Sequence, residues 1–375
     1  MTPSHLSAII EGSTPVLVYA HQEKRKGPAK KQQVPFYNPA MEMNRDISIA
    51  FVQWLVKHHS RPVEVLDGLA SSGIRGLRIA NEVSGKVKVT INDWSTLAFD
   101  LIQRNLSHVS VSNACATCED VHVLLSRERY DYVDIDPFGT PAIFVDSAVR
   151  GLRHKAILAV TATDTATLCG VYPTVCRRRY GSRPYHSPMM HEIGLRILIG
   201  FLARVATTFD AGIVPLLCYS TDHYMRVYVQ ILRRVSDANK SMEQVQIISS
   251  SSLAFQSEKK HRDIGPLWMG MMEDAQTIGD ITDMIPMLHC GSEREMRSLL
   301  ELLKKEACAP PFFYTVNAIA SVLKTSPPSR STLFQVFQER NLGIWRTHVD
   351  PTGFKTTATE SEIIEAFHQA KQVDQ

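Results

Sequence analysis

Between residues 63 and 136 four short apolar runs each lead into a carboxylate, and this repeat constrains the fold more than any other feature of the chain. Val63-Glu64-Val65-Leu66 ends on Asp67, and Val87–Ile91 ends on Asn92-Asp93. The stretch Val109–Ala116 precedes Glu119-Asp120, and Tyr130-Asp131-Tyr132-Val133 runs into Asp134-Ile135-Asp136. Helical apolar spacing separates the runs, as in Ile74, Leu77, Ile79 and Ala80. Alternating strand and helix patterns predict an α/β fold with a largely parallel sheet. Ligands of such sheets bind off the carboxyl ends of the strands, so the four acids are expected to face one crevice.

The loops narrow the ligand. After Asp67 comes Gly68-Leu69-Ala70-Ser71-Ser72-Gly73-Ile74-Arg75-Gly76, whose glycines let backbone amides approach a ligand closely. It matches neither G-x-G-x-x-G nor a P-loop, because Ile-Arg stands where Lys-Ser/Thr is needed, and a diphosphate cofactor is disfavoured. A loop opening on Asp67 suits a ligand with an amino group, and Asp93 stands where a ribose diol is gripped. Asp93 is equally suited to capping a helix ahead of Ser95-Thr96-Leu97. Asp120 falls where an adenine amine needs an acceptor. Together Asp67, Asp93, Asp120 and Asp136 predict a Rossmann-like S-adenosylmethionine-dependent methyltransferase domain over residues 1–235, with a seven-stranded, mostly parallel sheet. A smaller α+β domain is expected over 236–375.

The octet Asp134-Ile135-Asp136-Pro137-Phe138-Gly139-Thr140-Pro141 carries the chemistry. Two carboxylates can accept hydrogen bonds from an amine, and the ring beside them can stack on a flat base. Read structurally, the same residues are an acidic strand end followed by a tight turn.

A net charge of +3 says little about nucleic acid, but its distribution says more. Basic clusters occur at Lys24-Arg25-Lys26 with Lys30-Lys31, at Arg177-Arg178-Arg179 with Arg183, and at Lys259-Lys260-His261-Arg262. Such runs on a near-neutral chain imply polarity and phosphate contact. Seven cysteines without a framework suit a reducing compartment, and Cys115-Ala116-Thr117-Cys118 reads as packed thiols. No signal peptide and no apolar run near the roughly 20 residues of a membrane helix is found. The expectation is a cytoplasmic monomer without membrane contact.

Beyond the first strands, a strand pair over Leu6–Tyr19 and a helix over Arg45–His58 are expected. Further along, the pattern predicts a fifth strand at Ala156–Val160, a helix at Glu192–Thr207 and antiparallel strands at Ile213–Ser220 and Arg226–Leu232. Near the C-terminus, helices at Phe312–Leu323 and Thr332–Glu339 precede a hairpin over Gly343–Thr357 bearing Arg346, His348 and Lys355. Thr359 and Glu362 form a capping box for a last helix. The order suggests a winged-helix-like module offering its cations to a nucleic-acid backbone, or else a packing module.

Several motifs together resemble one family, the tRNA guanine-N2 dimethyltransferases, which form N2,N2-dimethylguanosine at tRNA position 26. They are Phe36-Tyr37-Asn38-Pro39-x-Met41-x-x-Asn44-Arg45-Asp46, Ser72-Gly73-Ile74-Arg75-Gly76 and Asp134-Ile135-Asp136-Pro137-Phe138-Gly139. Thr161–Ala166, Cys176–Gly181, Glu192–Arg196, Gly265-Pro266-Leu267-Trp268 and Pro351-Thr352-Gly353 extend the likeness. The resemblance implies that Asp136 and the Pro137 carbonyl accept from guanine N2, that Phe138 stacks on the flipped base, and that Asp134, nearer the strand interior, either supports the site from behind or accepts from a base edge. It implies that Arg45 and Arg75 reach the cofactor carboxylate, Asp93 its ribose, Asp120 and the Val121 amide its adenine, with Phe36 covering it. The expected partner is tRNA. One departure stands out. Many archaeal relatives carry a four-cysteine zinc ribbon before Gly-Pro-Leu-Trp, whereas Val245–Ile264 holds no cysteine, so no structural zinc is expected. The residues also leave room for methylation of another planar amine (adenine N6, cytosine N4 or a glutamine amide) or for a non-catalytic tRNA-binding relative.

Overall fold

The computed structural model describes residues 6–19, 35–221, 223–253, 255 and 262–374. Lys24, Arg25 and Lys26, read above as RNA contacts, lie outside them, as do Lys259, Lys260 and His261. Strands β1 (Leu6–Glu11) and β2 (Thr14–Tyr19) form the expected antiparallel pair. Helix α1 runs from Glu42 to Lys57, one turn earlier than the pattern indicated. Then come β3 (Val63–Asp67), α2 (Ile74–Glu82), β4 (Val87–Asn92), α3 (Thr96–Val109), β5 (Ala114–Thr117), α4 (Val121–Arg127) and β6 (Tyr130–Ile135). Strand β5 is shorter than Val109–Ala116, because Leu101, Ile102 and Asn105 bury one face of α3 and carry that helix through Val109. Helix α5 (Val145–Gly151) leads into β7 (Leu152–Ala162), followed by α6 (Thr165–Leu168), α7 (Pro173–Tyr180), α8 (Met190–Thr207), β8 (Gly212–Ser220) and β9 (Met225–Leu232).

Strands β3 to β9 make one seven-stranded sheet in the order β5-β4-β3-β6-β7-β9-β8. Pairing is parallel from β5 to β7 and antiparallel for β7–β9 and β9–β8. The switch point lies between β3 and β6, where the chain reverses its order across the sheet and a crevice opens at the strand ends. The register sets Asp67 of β3 opposite Asp134 of β6 and Ile91 of β4.

Beyond 235 the chain keeps contact with this sheet. Helices α9 (Val235–Glu243), α10 (Ala275–Met284) and α11 (Glu293–Glu306) and the strands β10 (Val245–Ser249) and β11 (Asp263–Trp268) follow. Ile264 and Leu267 join the apolar cluster around α8, and Ile278, Met296 and Leu300 join the cluster around α1 and α2. A separate cluster gathers further on, around Ile319, Leu333, Phe337, Phe354, Ile363 and Phe367. It belongs to β12 (Tyr314–Thr315), α12 (Val316–Leu323), α13 (Arg330–Glu339), β13 (Ile344–Arg346), β14 (Gly353–Thr356) and α14 (Glu360–Val373). Phe312 and Phe313 precede the strand β12 instead of starting the helix, and Thr315 caps α12 by accepting from the Ala318 amide at 3.1 Å. The capping box of α14 forms as read, with the Glu362 carboxylate accepting from the Thr359 amide at 2.7 Å. Counting α11 first, the module runs helix, strand, helix, helix, strand, strand, with sheet order β12-β14-β13, which is winged-helix topology.

Two of the three cations expected on the hairpin surface are buried. The Lys355 side chain is 2 % exposed and pairs with Glu192 of α8 at 3.2 Å and Glu306 of α11 at 3.0 Å. The His348 ring is equally enclosed, with Nδ1 2.8 Å from Glu306. They pair there because an uncompensated buried carboxylate would cost several kcal/mol. Only Arg346 reaches solvent.

Candidate active site

The end of β6 is held by charges drawn from two other elements, β9 and α2. Asp134 is fully buried and is gripped by Arg226 of β9, whose two terminal nitrogens donate to its two oxygens at 3.0 and 2.6 Å. The Tyr132 hydroxyl donates to it at 2.7 Å, and Arg75 Nε stands 3.5 Å away. Burial alone would raise the Asp134 pKa, but Arg226 and Arg75 hold it below the usual carboxylate range. With these partners Asp134 anchors the strand end, a position that suits support from behind the site over contact with a base edge.

Two residues on, the backbone turns outward. The Asp136 side chain is 21 % exposed and accepts from Arg75 Nη2. Arg75, expected at the cofactor carboxylate, instead spans Asp134 and Asp136 while donating to Asn44 at 2.8 Å and Ser48 at 2.6 Å. It thereby fixes one oxygen of Asp136. Pro137 is buried and Phe138 is half exposed. Gly139 takes φ +90°, a conformation that L side chains rarely adopt, and it lets the chain double back. The turn is pinned to the end of β7, where the Gly139 amide donates to Thr163 Oγ1 at 2.7 Å and the Thr163 amide to the Gly139 carbonyl at 3.0 Å. Thr140 donates to the Tyr180 hydroxyl at 2.9 Å, which donates to Asp164 at 2.7 Å, and Arg179 pairs with Asp164 at 3.0 Å. The basic helix α7 is thus wired to the turn, with Arg177 and Arg178 exposed beside it.

The other acids line the same crevice. Asp67 is buried, accepts from the Gly76 amide at 3.0 Å, and is pushed up to about 7 by burial and the nearby Asp134, against the pull of Arg75. Asp93 accepts from the amide of Ser95, itself the N-cap of α3, at 2.9 Å, and from the Ser71 amide at 2.8 Å, which shapes the glycine loop. Burial raises its pKa. Asp120 caps α4 through the His122 amide at 2.8 Å, remains exposed, and precedes the buried Val121. Arg45 is not free for a ligand carboxylate here: its guanidinium forms a bidentate pair with Glu11 of β1 at 2.6 and 2.5 Å. Phe36 sits on the glycine loop, its amide donating to Ser71 Oγ at 2.6 Å, and its ring meets Phe138 edge to face at 5.3 Å.

Sequence reasoning missed Arg226, Glu11, Tyr180 and Asn92. Asn92 ties three strand ends together: its amide nitrogen donates to the Gly68 and Glu119 carbonyls, both at 3.1 Å, and its oxygen accepts from Thr117 at 2.8 Å. Its place before Asp93 was the only available signal. Among the described residues, no group of three or more His, Cys, Asp or Glu side chains is arranged to hold a metal ion, and no helix is long and apolar enough to cross a membrane.

The sequence model of the family "N2,N2-dimethylguanosine tRNA methyltransferase" matches residues 16–368. A tRNA (guanine(26)-N(2))-dimethyltransferase of Methanothermobacter thermautotrophicus is 35% identical over 88% of this chain and 92% of its own length. One from Thermococcus kodakarensis is 33% identical, covering 96% and 99%. The solved structure of Trm1 from Pyrococcus horikoshii in complex with S-adenosyl-L-methionine superimposes with a TM-score of 0.85 at 30% identity, covering 96% of this chain and 99% of that one. The chain belongs to the N2,N2-dimethylguanosine tRNA methyltransferase family.

Proposed function

We propose that this protein methylates the exocyclic N2 of guanosine 26 in tRNA twice, drawing both methyl groups from S-adenosylmethionine. The observation that carries the reading is Asp136, a partly exposed carboxylate held by Arg75 next to a half-exposed ring at the switch-point crevice.

The crevice fits the cofactor. A Cβ added at Gly68 would lie 3.1 Å from the Asp134 carbonyl and 3.2 Å from Val121, so the loop leaves room only for a bare backbone. Asp93 would hold the ribose diol, and Asp120 with the Val121 amide the adenine. Arg45 would reach the carboxylate only by loosening its pair with Glu11. Phe36 would close the side nearest Ser71. When bound, S-adenosylmethionine supplies an electrophilic methyl group on a sulfonium.

Guanine N2 is a weak nucleophile because its lone pair is delocalised into the ring. Asp136 and the Pro137 carbonyl accept its N–H bonds and aim that lone pair, while Phe138 stacks on the extruded base. Arg75 keeps the Asp136 carboxylate from rotating away. Each transfer replaces one N–H bond by N–CH3, the proton leaving toward the Asp136 carboxylate; after the first, one N–H remains, and the same acceptors can present it again. The basic residues of α7 lie beside this pocket and suit the tRNA backbone. A cytoplasmic monomer fits the sequence and this substrate. The test is incubation with unmodified tRNA and S-adenosylmethionine, then nuclease digestion and mass identification. N2,N2-dimethylguanosine should form, and a transcript with adenosine at position 26 should stay unmodified. Product on adenine or on protein amides would favour the other planar-amine reading.

A further inference from the structure

From the groove between α13 and the β13–β14 hairpin we infer a second RNA-binding site, separate from the catalytic crevice, that takes the sugar-phosphate backbone of the tRNA away from the modified base. Arg330, Ser331, Phe334 and Gln338 follow one another along one side of α13 and form one wall, and Arg346 of β13 forms the other, enclosing about 440 Å³. The opposite side of α13 is consumed by the module's core, where Leu333, Val336 and Phe337 are buried. Both arginines bridge the walls. Arg330 donates to the Pro351 carbonyl at the hairpin tip, and Arg346 lies over the Phe334 ring at 6.0 Å.

Charge complementarity selects the occupant. The lining holds two guanidinium groups, a hydroxyl, an amide and a ring, and no carboxylate. The module's acids stand outside this lining: Glu360, Glu362 and Glu365 are on α14, Glu365 paired with Arg340; Glu339 at the end of α13 accepts from Gln335, Asp350 from Thr352, and Asp374 from Ser329 and Thr332. Paired arginines with small polar donors and a ring suit phosphates and ribose. The groove lies between the third helix and the wing of the winged-helix topology described above. The Lys355 contacts to Glu192 and Glu306 tie the wing to α8 and α11, so the groove is fixed relative to the sheet. RNA held here is therefore held in register with the crevice.

This inference rests on tRNA being the substrate. The test compares the full-length protein with an Arg330→Gln/Arg346→Gln double variant and with Arg330→Glu/Arg346→Glu, using an unmodified tRNA transcript. Binding is measured over a salt series, alongside steady-state methylation and melting temperature. The Gln pair should weaken tRNA binding roughly tenfold and lower the log–log salt slope by about 1.4–1.8, the loss of two phosphate contacts. The Glu pair should weaken binding further. The KM for tRNA should rise while kcat and S-adenosylmethionine affinity stay within about twofold, which a merely structural role would not produce. If the Glu pair melts early, the Gln pair carries the test. Parent-like affinity and slope in a folded Gln pair would overturn the second site. A parent that fails to methylate tRNA would overturn the reading of function instead.

Discussion

The buried ionic clusters around Asp134 and around Glu306 differ in one respect. Around Asp134, Arg75, Arg226 and Tyr132 close every side except the one where Arg75 passes to Asp136, a carboxylate that still meets solvent. Around Glu306, Lys355, His348, Glu192 and Thr347 close all sides. Breaking a closed cluster costs stability because it strands a charge. An open cluster keeps one acceptor for chemistry and uses the buried charges only to aim it. Buried charge alone does not mark a site.

The largest expected effect falls on the closed cluster. Lys355→Met leaves Glu192 and Glu306 facing each other without their shared cation and should cost about 3–5 kcal/mol of stability in urea titration. Specific activity of the fraction still folded should change little; a stable variant would mean that water already screens the pair. In the open cluster the pattern reverses. Asp136→Asn should cut turnover by about 10²-fold or more while the melting temperature and cofactor affinity stay near the parent values. Near-parent turnover would move the amine acceptor elsewhere, with Asp164 the next candidate.

Asp93→Ala should weaken S-adenosylmethionine binding by about 1.5–3 kcal/mol in calorimetry. It also releases the Ser71 amide, so unchanged affinity would reduce Asp93 to a residue that only shapes its own loop. Phe138→Ala should cost about 1–3 kcal/mol of stacking, read as a raised KM for tRNA, and should increase N2-methylguanosine relative to the dimethylated product. An unchanged product ratio would remove the ring from the base pocket.

The smallest effect distinguishes the clusters by pH. Burial would depress the His348 pKa, but Glu306 overrides it and raises it above the ordinary value near 6.5. Its contribution is therefore full below about pH 6.5 and is lost as pH rises through the higher folded value. The stability gap between the parent and His348→Gln should be widest in mild acid and narrow toward alkaline pH. A gap that widens with pH would mean that the ring is neutral.

Legibility followed sequence distance. The acids at the ends of β3, β4 and β6 were readable because each lies within its own strand-loop-helix unit, where periodicity and turn residues speak for a few neighbours. Arg226 was not, since it reaches Asp134 from the antiparallel strand β9, far along the chain. Nothing local signalled that Arg45, expected at the cofactor carboxylate, would pair with the distant Glu11. Lys355 and His348 were read as surface cations for the same reason. A lone lysine on a short hairpin is ordinarily solvated, and only the distant Glu192 and Glu306 make its burial affordable. Patterns of apolar residues fix elements, whereas charge pairing depends on topology.

The reach of Lys355 to Glu192 has a consequence for the nascent chain. Helix α8 precedes the hairpin by some hundred and fifty residues, and its buried Glu192, already paired with Arg196 at 2.8 Å, takes its second cation only when that hairpin has emerged. Until then Glu306 of α11, whose cations Lys355 and His348 both come from the hairpin, stands uncompensated. The sheet and the winged module should therefore melt and refold in a single transition, and a ribosome-bound fragment lacking the hairpin should remain accessible to proteases and chaperones.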